Sequence, residues 1–181
     1  ELAKELNDTV GEIESIGLII IVLQRQSKFE EALQLFDRVL SLSRQVGDQE
    51  RLAEVLKNMG QAYARRGDFD RASSMYEESL ELARQQDDMS IQAACLSNLG
   101  NISFYRGKLT EAFSRYQDSL DIYNRLGDKA GSARQALNLG LIEATRGNLN
   151  SALTTLRTAE TNAEQLGDKV ILAMTKVNIS Q

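Results

Sequence analysis

With 181 residues and no histidine, the chain lacks an imidazole base and an ordinary zinc site. A formal net charge of −5 argues against a general nucleic-acid or anionic-membrane role. Cys95 is the only cysteine, which excludes an intrachain disulfide and points to a reducing, cytoplasmic compartment.

Proline and tryptophan are absent, Ala, Leu, Glu, Arg and Gln are abundant, and β-branched residues are sparse, so the chain reads as all-helical. Asp8, Asp48, Asp88, Asp128 and Asp168 recur at intervals of 40 residues. Ala32, Ala72, Ala112 and Ala152 keep the same step, as do Gly60, Gly100 and Gly140, and Asn58, Asn98, Asn138 and Asn178. A fixed period in the range of about 20–50 residues marks a stacked repeat protein, whose units bury their apolar faces against their neighbours.

In chain order, residues 1–10 read as the end of one unit, because Glu1 to Asp8 is in register with Glu81 to Asp88. Full units follow at 11–50, 51–90, 91–130 and 131–170, and 171–181 begins another. The sequence therefore reads as a segment of a longer protein cut at both ends. Unit 11–50 holds the longest apolar run, Ile16–Leu23, whose eight residues are too short to span a bilayer. This run is apolar all round its helix, and a preceding unit is expected to cover it. The same unit has Ile20 at the position of Gly60 and Ser27 at the position of Gly67, which predicts a wider helix crossing.

Unit 51–90 shows the pattern most plainly. Leu52, Val55, Leu56, Met59, Ala62 and Tyr63 recur at spacings of three and four, giving one apolar stripe on a first helix. Gly67-Asp68 breaks it: glycine tolerates the left-handed residue that ends a helix, and aspartate suits the next helix start. A second helix carries Phe69, Ala72, Met75, Tyr76, Leu80 and Ala83, and ends before Asp87-Asp88. Two helices and a short turn make an antiparallel hairpin, in which Gly60 and Ala72 let the backbones approach. Units 91–130 and 131–170 repeat this, except that Glu143 stands where a large apolar residue is expected. A lone buried carboxylate is costly, so Glu143 is expected to pair with an arginine or reach solvent.

Asn58-Met-Gly60, Tyr63, Gly67-Asp68-Phe69, Ala72 and Tyr76 resemble the tetratricopeptide repeat signature. Asn98-Leu-Gly100, Gly107, Ala112 and Tyr116 repeat it, followed by Asn138-Leu-Gly140, Gly147, Ala152 and Leu156. The usual unit is about 34 residues. The longer form here is similar to the repeats of Pins/LGN polarity adaptors and kinesin light chains, and to repeats in multidomain bacterial signalling proteins. The resemblance implies an all-α, right-handed superhelical solenoid whose first helices line a concave, peptide-binding face.

Carried over by register, that face takes Lys57, Asn58, Gln61 and Arg65 from unit 51–90. Unit 91–130 adds Asn98, Asn101, Phe104 and Tyr105, and unit 131–170 adds Arg134, Asn138 and Leu141. One asparagine amide both donates to a carbonyl and accepts from an N–H, so the asparagine row suits an extended peptide backbone. Neighbouring first helices ~10 Å apart match about three residues of extended chain at ~3.3 Å each. The alternative is that each asparagine bonds the adjacent helix and stiffens the stack. Lys57, Arg65 and Arg134 favour an acidic ligand in an otherwise acidic protein. Lys57, Gln61, Asn98 and Arg134 also resemble part of the carboxylate clamp of chaperone-binding repeats, with departures at Gln61 and Asn138. Phe104 serves either as an aromatic anchor beside Tyr105 or as core.

These readings favour a non-catalytic scaffold that binds an extended, acidic segment of a partner protein, with no metal or cofactor, nucleic acid or membrane. The alternative is a regulatory or self-assembly arm of a larger multidomain signalling protein, self-associating through its cut ends. Nothing resembles an activated nucleophile, and Cys95 reads as a small buried hydrophobe.

Overall fold

The computed structural model describes residues 2–179, with side chains from Asp8 onward. Glu1, Ser180 and Gln181, which fall in the expected terminal fragments, lie outside the described residues. Among those described there are nine α-helices and no strand. The chain divides into two compact units, Glu1–Ile91 and Gln92–Gln181.

The first unit holds α1 (Leu2–Arg25), α2 (Phe29–Val46), α3 (Gln49–Arg66) and α4 (Phe69–Gln85). Consecutive helices pack on each other and are joined by turns of two or three residues, which makes them antiparallel. α1 runs unbroken through Asp8 and Gly11, where the 40-residue register placed a break. Asp8 is thus inside a helix, whereas Asp48 and Asp68 start helices and accept from the backbone N–H of Arg51 and Arg71. Asp88 does the same for Ile91 at 2.9 Å.

α5 (Met89–Tyr105) belongs to the second unit from Gln92 onward, with α6 (Leu109–Leu126), α7 (Lys129–Thr145), α8 (Leu149–Leu166) and α9 (Lys169–Ile179). Asp128 and Asp168 cap α7 and α9 through the N–H groups of Gly131 and Ile171. By contrast Lys28, Lys108 and Asn148, which precede α2, α6 and α8, make no side-chain cap.

The helix crossings follow the small residues. A Cβ built on Gly60 would lie 2.9 Å from the Tyr76 ring, and one on Gly100 would lie 2.6 Å from the Tyr116 ring. Buried hydroxyls join the same helices: Ser79 donates to the Ala53 carbonyl at 2.7 Å, and Ser119 to that of Ala93 at 2.8 Å. In the first hairpin Ile20 and Phe36 are both buried and share the wall of a cavity of about 430 Å3. Ser27 takes the left-handed conformation (φ 59°) that Gly67 adopts at its equivalent turn. Cys95 is fully buried.

Candidate functional site

Residues three and four apart share one face of a helix. On α5 this aligns Asn98, Asn101 and Tyr105, and on α7 it aligns Arg134, Asn138 and Leu141. The two rows meet in the second unit. Asn101, Phe104, Tyr105, Asn138 and Leu141 line a single pocket of about 160 Å3 together with Tyr116 of α6.

Tyr116 organises this pocket. Its ring lies against the bare Cα of Gly100, and its hydroxyl donates to Asn101 Oδ1 at 2.8 Å. With Oδ1 so engaged, the Asn101 Nδ2 hydrogens remain for a ligand carbonyl. Burial, then the neighbouring Tyr105, pushes the Tyr116 phenol above its ordinary range, so it stays protonated as a donor. Tyr105 is 72% exposed and meets Phe104 edge-to-face, with ring centroids 6.4 Å apart. Phe104 is half-buried: it packs on the core formed by Ala112, Tyr116, Leu139 and Ile142, and its ring also lines the pocket.

The asparagine row divides into two kinds. Asn58, Asn98 and Asn138 are half-buried, and their side chains make no hydrogen bond among the described residues. Asn178 instead donates to the Met174 carbonyl of its own helix at 2.8 Å. Arg134 does not line the pocket; it is exposed, and its charge acts on Tyr123.

In the first unit, Lys57 is half-buried on α3, while Gln61 and Arg65 are exposed. Neither Lys57 nor Arg65 has an ion pair among the described residues, unlike Arg51 and Arg66 on the same helix. Asn58 lines the 430 Å3 cavity with Ile13, Gly17, Ile20 and Gln24 of α1.

Two residues of these cavities escape a reading of the sequence. Tyr116 carries the packing signature, and nothing in the pattern says that its hydroxyl reaches Asn101. Gln24 sits at the register position of Phe104, so extending the groove positions back by two units finds it. Its Nε2 is buried without a partner. Glu143 pairs with no arginine among the described residues; it is only partly buried, and it accepts from Asn148 Nδ2 at 2.8 Å in an exposed hydrogen bond.

Paired antiparallel helices with a side-chain-lined face on the first helix of each pair define the helix-turn-helix repeat class. A tetratricopeptide repeat model matches residues 13–85 and 92–165, and the chain belongs to that family. Such repeats are protein–protein interaction scaffolds and bind protein partners. No curated protein sequence matches the chain significantly. Among solved structures, BtubC (BKLC) from P. vanneervenii is similar at 21% identity and a TM-score of 0.83, over 94% of this chain and 71% of that one. Apo RapI is similar at 18% identity and a TM-score of 0.86, over 94% of this chain and 47% of that one. A signal-transduction ATPase with numerous domains and a tetratricopeptide repeat sensor, from Pyrococcus horikoshii, gives 18% and 0.80 over 96% of this chain and 26% of that one. The chain thus spans under half of the latter two proteins, and at these identities the likeness shows the fold alone. No described helix is long and apolar enough to cross a membrane.

Proposed function

We propose that the first-helix faces of the chain bind an extended segment of a partner protein, with a bias toward acidic sequence. The observation that carries this reading is the pocket of the second unit, where Asn101 offers an oriented donor, Asn138 an unengaged amide, and Tyr105 and Leu141 apolar walls. Amides of this kind suit a peptide backbone whatever its side chains, and the aromatic wall suits an anchoring residue. The acidic bias rests on Lys57, Arg65 and Arg134, none of which is neutralised by an ion pair among the described residues. Nothing in either cavity offers an activated nucleophile, so the scaffold reading is a non-catalytic one.

Selection of an extended-peptide library on the whole chain tests this. Acid-rich binders are expected, and the Asn101→Ala and Asn138→Ala variants should each lose ~1 kcal/mol of affinity. Tyr105→Ala should weaken them further. Binders indifferent to all three substitutions would refute the reading.

A second reading, as a regulatory or self-assembly arm, draws on exposed apolar residues. Leu18, Ile19 and Val22 of α1 are exposed in the first unit, as are Val170, Met174 and Val177 of α9 in the second. Sedimentation of wild type against Leu18→Glu and Met174→Glu variants separates the two: self-assembly requires a concentration-dependent mass that the substitutions abolish.

A further inference from the structure

In the second unit the second helices α6 and α8 form another cavity with a different side of α7, with a volume of about 380 Å3. Its floor is apolar, from Phe113, Leu120, Ala136 and Leu139, and its rim is made of neutral side chains such as Asn124, Ser151 and Thr158. The one charged group lining it is the Glu143 carboxylate.

The first unit, 80 positions earlier in register, shows what occupies the equivalent space. There Tyr63 takes the place of Glu143 and is buried, with the Arg71 guanidinium 5.6 Å from its ring centroid. Arg44 and Glu78, the counterparts of Asn124 and Thr158, join α2 to α4 in an ion pair at 2.9 Å. In the second unit all four positions are changed at once. The ring has become a carboxylate, its covering arginine has become Ser151, and the bridging pair has become an amide and a hydroxyl. A groove crossed by an ion pair, with an arginine beside its ring, has become one that keeps a negative charge without either cation.

Two of the rim hydroxyls are left as acceptors. The Thr154 and Thr158 hydroxyls donate to the Asn150 and Thr154 carbonyls of their own helix, leaving lone pairs toward a ligand. Ser132 donates to Asn124 Oδ1 at 2.7 Å. Glu143 receives one hydrogen bond, from Asn148 to Oε2, and has no ion pair among the described residues. The nearest cation in sequence, Arg146, does not line the groove: its guanidinium lies 4.9 Å from the centroid of the floor ring Phe113 and donates to the Leu109 carbonyl at 3.2 Å.

We infer that this groove is a second binding site, independent of the first-helix face, that takes an arginine side chain of a partner protein. The guanidinium supplies several donors to a carboxylate and to hydroxyl acceptors, and its apolar stem lies on the Leu120–Leu139 floor. The ligand brings the cation that the first unit provides from Arg71.

The test uses the isotopically labelled chain and two probes: acetyl-glycyl-arginyl-glycinamide and its citrulline analogue, a neutral near-isostere. Arginine should shift backbone NMR signals within 139–143 and 154–158, with an affinity about tenfold above citrulline, as one charge-assisted contact implies. Glu143→Gln keeps an acceptor for Asn148 and should bring arginine down to the citrulline level. Asn124→Arg with Thr158→Glu rebuilds the bridge of the first unit, and should block the arginine probe while circular dichroism shows unchanged helix. Equal binding of the two probes, arginine binding unaltered by Glu143→Gln, shifts located elsewhere, or no shifts would each overturn the proposal.

Discussion

Replacing Gly100 with alanine should destabilise the second unit, although alanine is the better helix former by ~0.8–1.0 kcal/mol. The new methyl would stand 2.6 and 2.7 Å from Tyr116 Cε1 and Cδ1, closer than real side chains tolerate. The ring has little room to yield, since Tyr116 is 2% exposed and its hydroxyl is tied to Asn101. Overpacking of this kind costs ~1–3 kcal/mol, and a broken Tyr116–Asn101 hydrogen bond adds ~0.5–1.5 kcal/mol. Set against the helix gain, a net loss of about 0.5–4 kcal/mol follows. Gly60→Ala should cost less, because the nearest Tyr76 atoms lie at 2.9 Å. Urea denaturation of the two variants, with Gly100→Ala also combined with Tyr116→Leu, provides the measurement. The double variant should be more stable than the sum of the single losses, because the leucine removes the clash. An unchanged midpoint for Gly100→Ala, or strict additivity in the cycle, would show that the ring does not sit where this reasoning requires.

Ser27→Gly should raise stability by ~0.5–1 kcal/mol, read as a higher melting temperature, because it relieves a serine held at φ 59°. Gln135 is buried with its Oε1 unpaired while its Nε2 donates to Ser97 Oγ. Exchanging both, as Gln135→Leu with Ser97→Ala, should be neutral or stabilising in urea, whereas Ser97→Ala alone should cost ~1 kcal/mol or more. Burial raises the phenol pKa of both Tyr116 and Tyr123, so the folded values lie above the unfolded ones. Their contribution to stability is therefore complete below pH ~10 and falls as the pH rises beyond it. Tyr116→Phe should flatten that alkaline decline in denaturation midpoints measured across the range.

The helices and their turns were legible because each is written locally. A stripe at spacings of three and four, a small residue at the crossing and an aspartate at the helix start each act within one or two turns of chain. The continuity of α1 was hidden for the same reason. The register predicted a break near Asp8, but the residues that follow, Thr9-Val10-Gly11, include no strong breaker beyond one helical glycine. The candidate site was legible in position and not in geometry. Register placed Asn101, Phe104, Tyr105, Asn138 and Leu141 on neighbouring faces, and they share a pocket. That Asn178 bonds its own helix, and that Arg134 lies by Tyr123 and not in the pocket wall, depends on rotamers that no periodicity encodes. The same holds for Tyr116, whose packing and hydrogen-bonding roles are inseparable in space and separate in sequence.

The unequal capping of the helices has a dynamic consequence. α3, α7 and α9 begin on aspartates that bind a backbone N–H, and α4 does so through Asp68, while α2, α6 and α8 begin on Lys28, Lys108 and Asn148 without such a bond. Uncapped first turns leave amides with no internal partner, and they open at a lower free energy than the helices they start. Amide exchange should therefore proceed in patches, fastest at the leading turns of α2, α6 and α8 and slowest in the buried middles. The hairpin of α3 and α4, capped at both starts, would be the last to loosen in the first unit, a rigid clasp beside a more yielding neighbour.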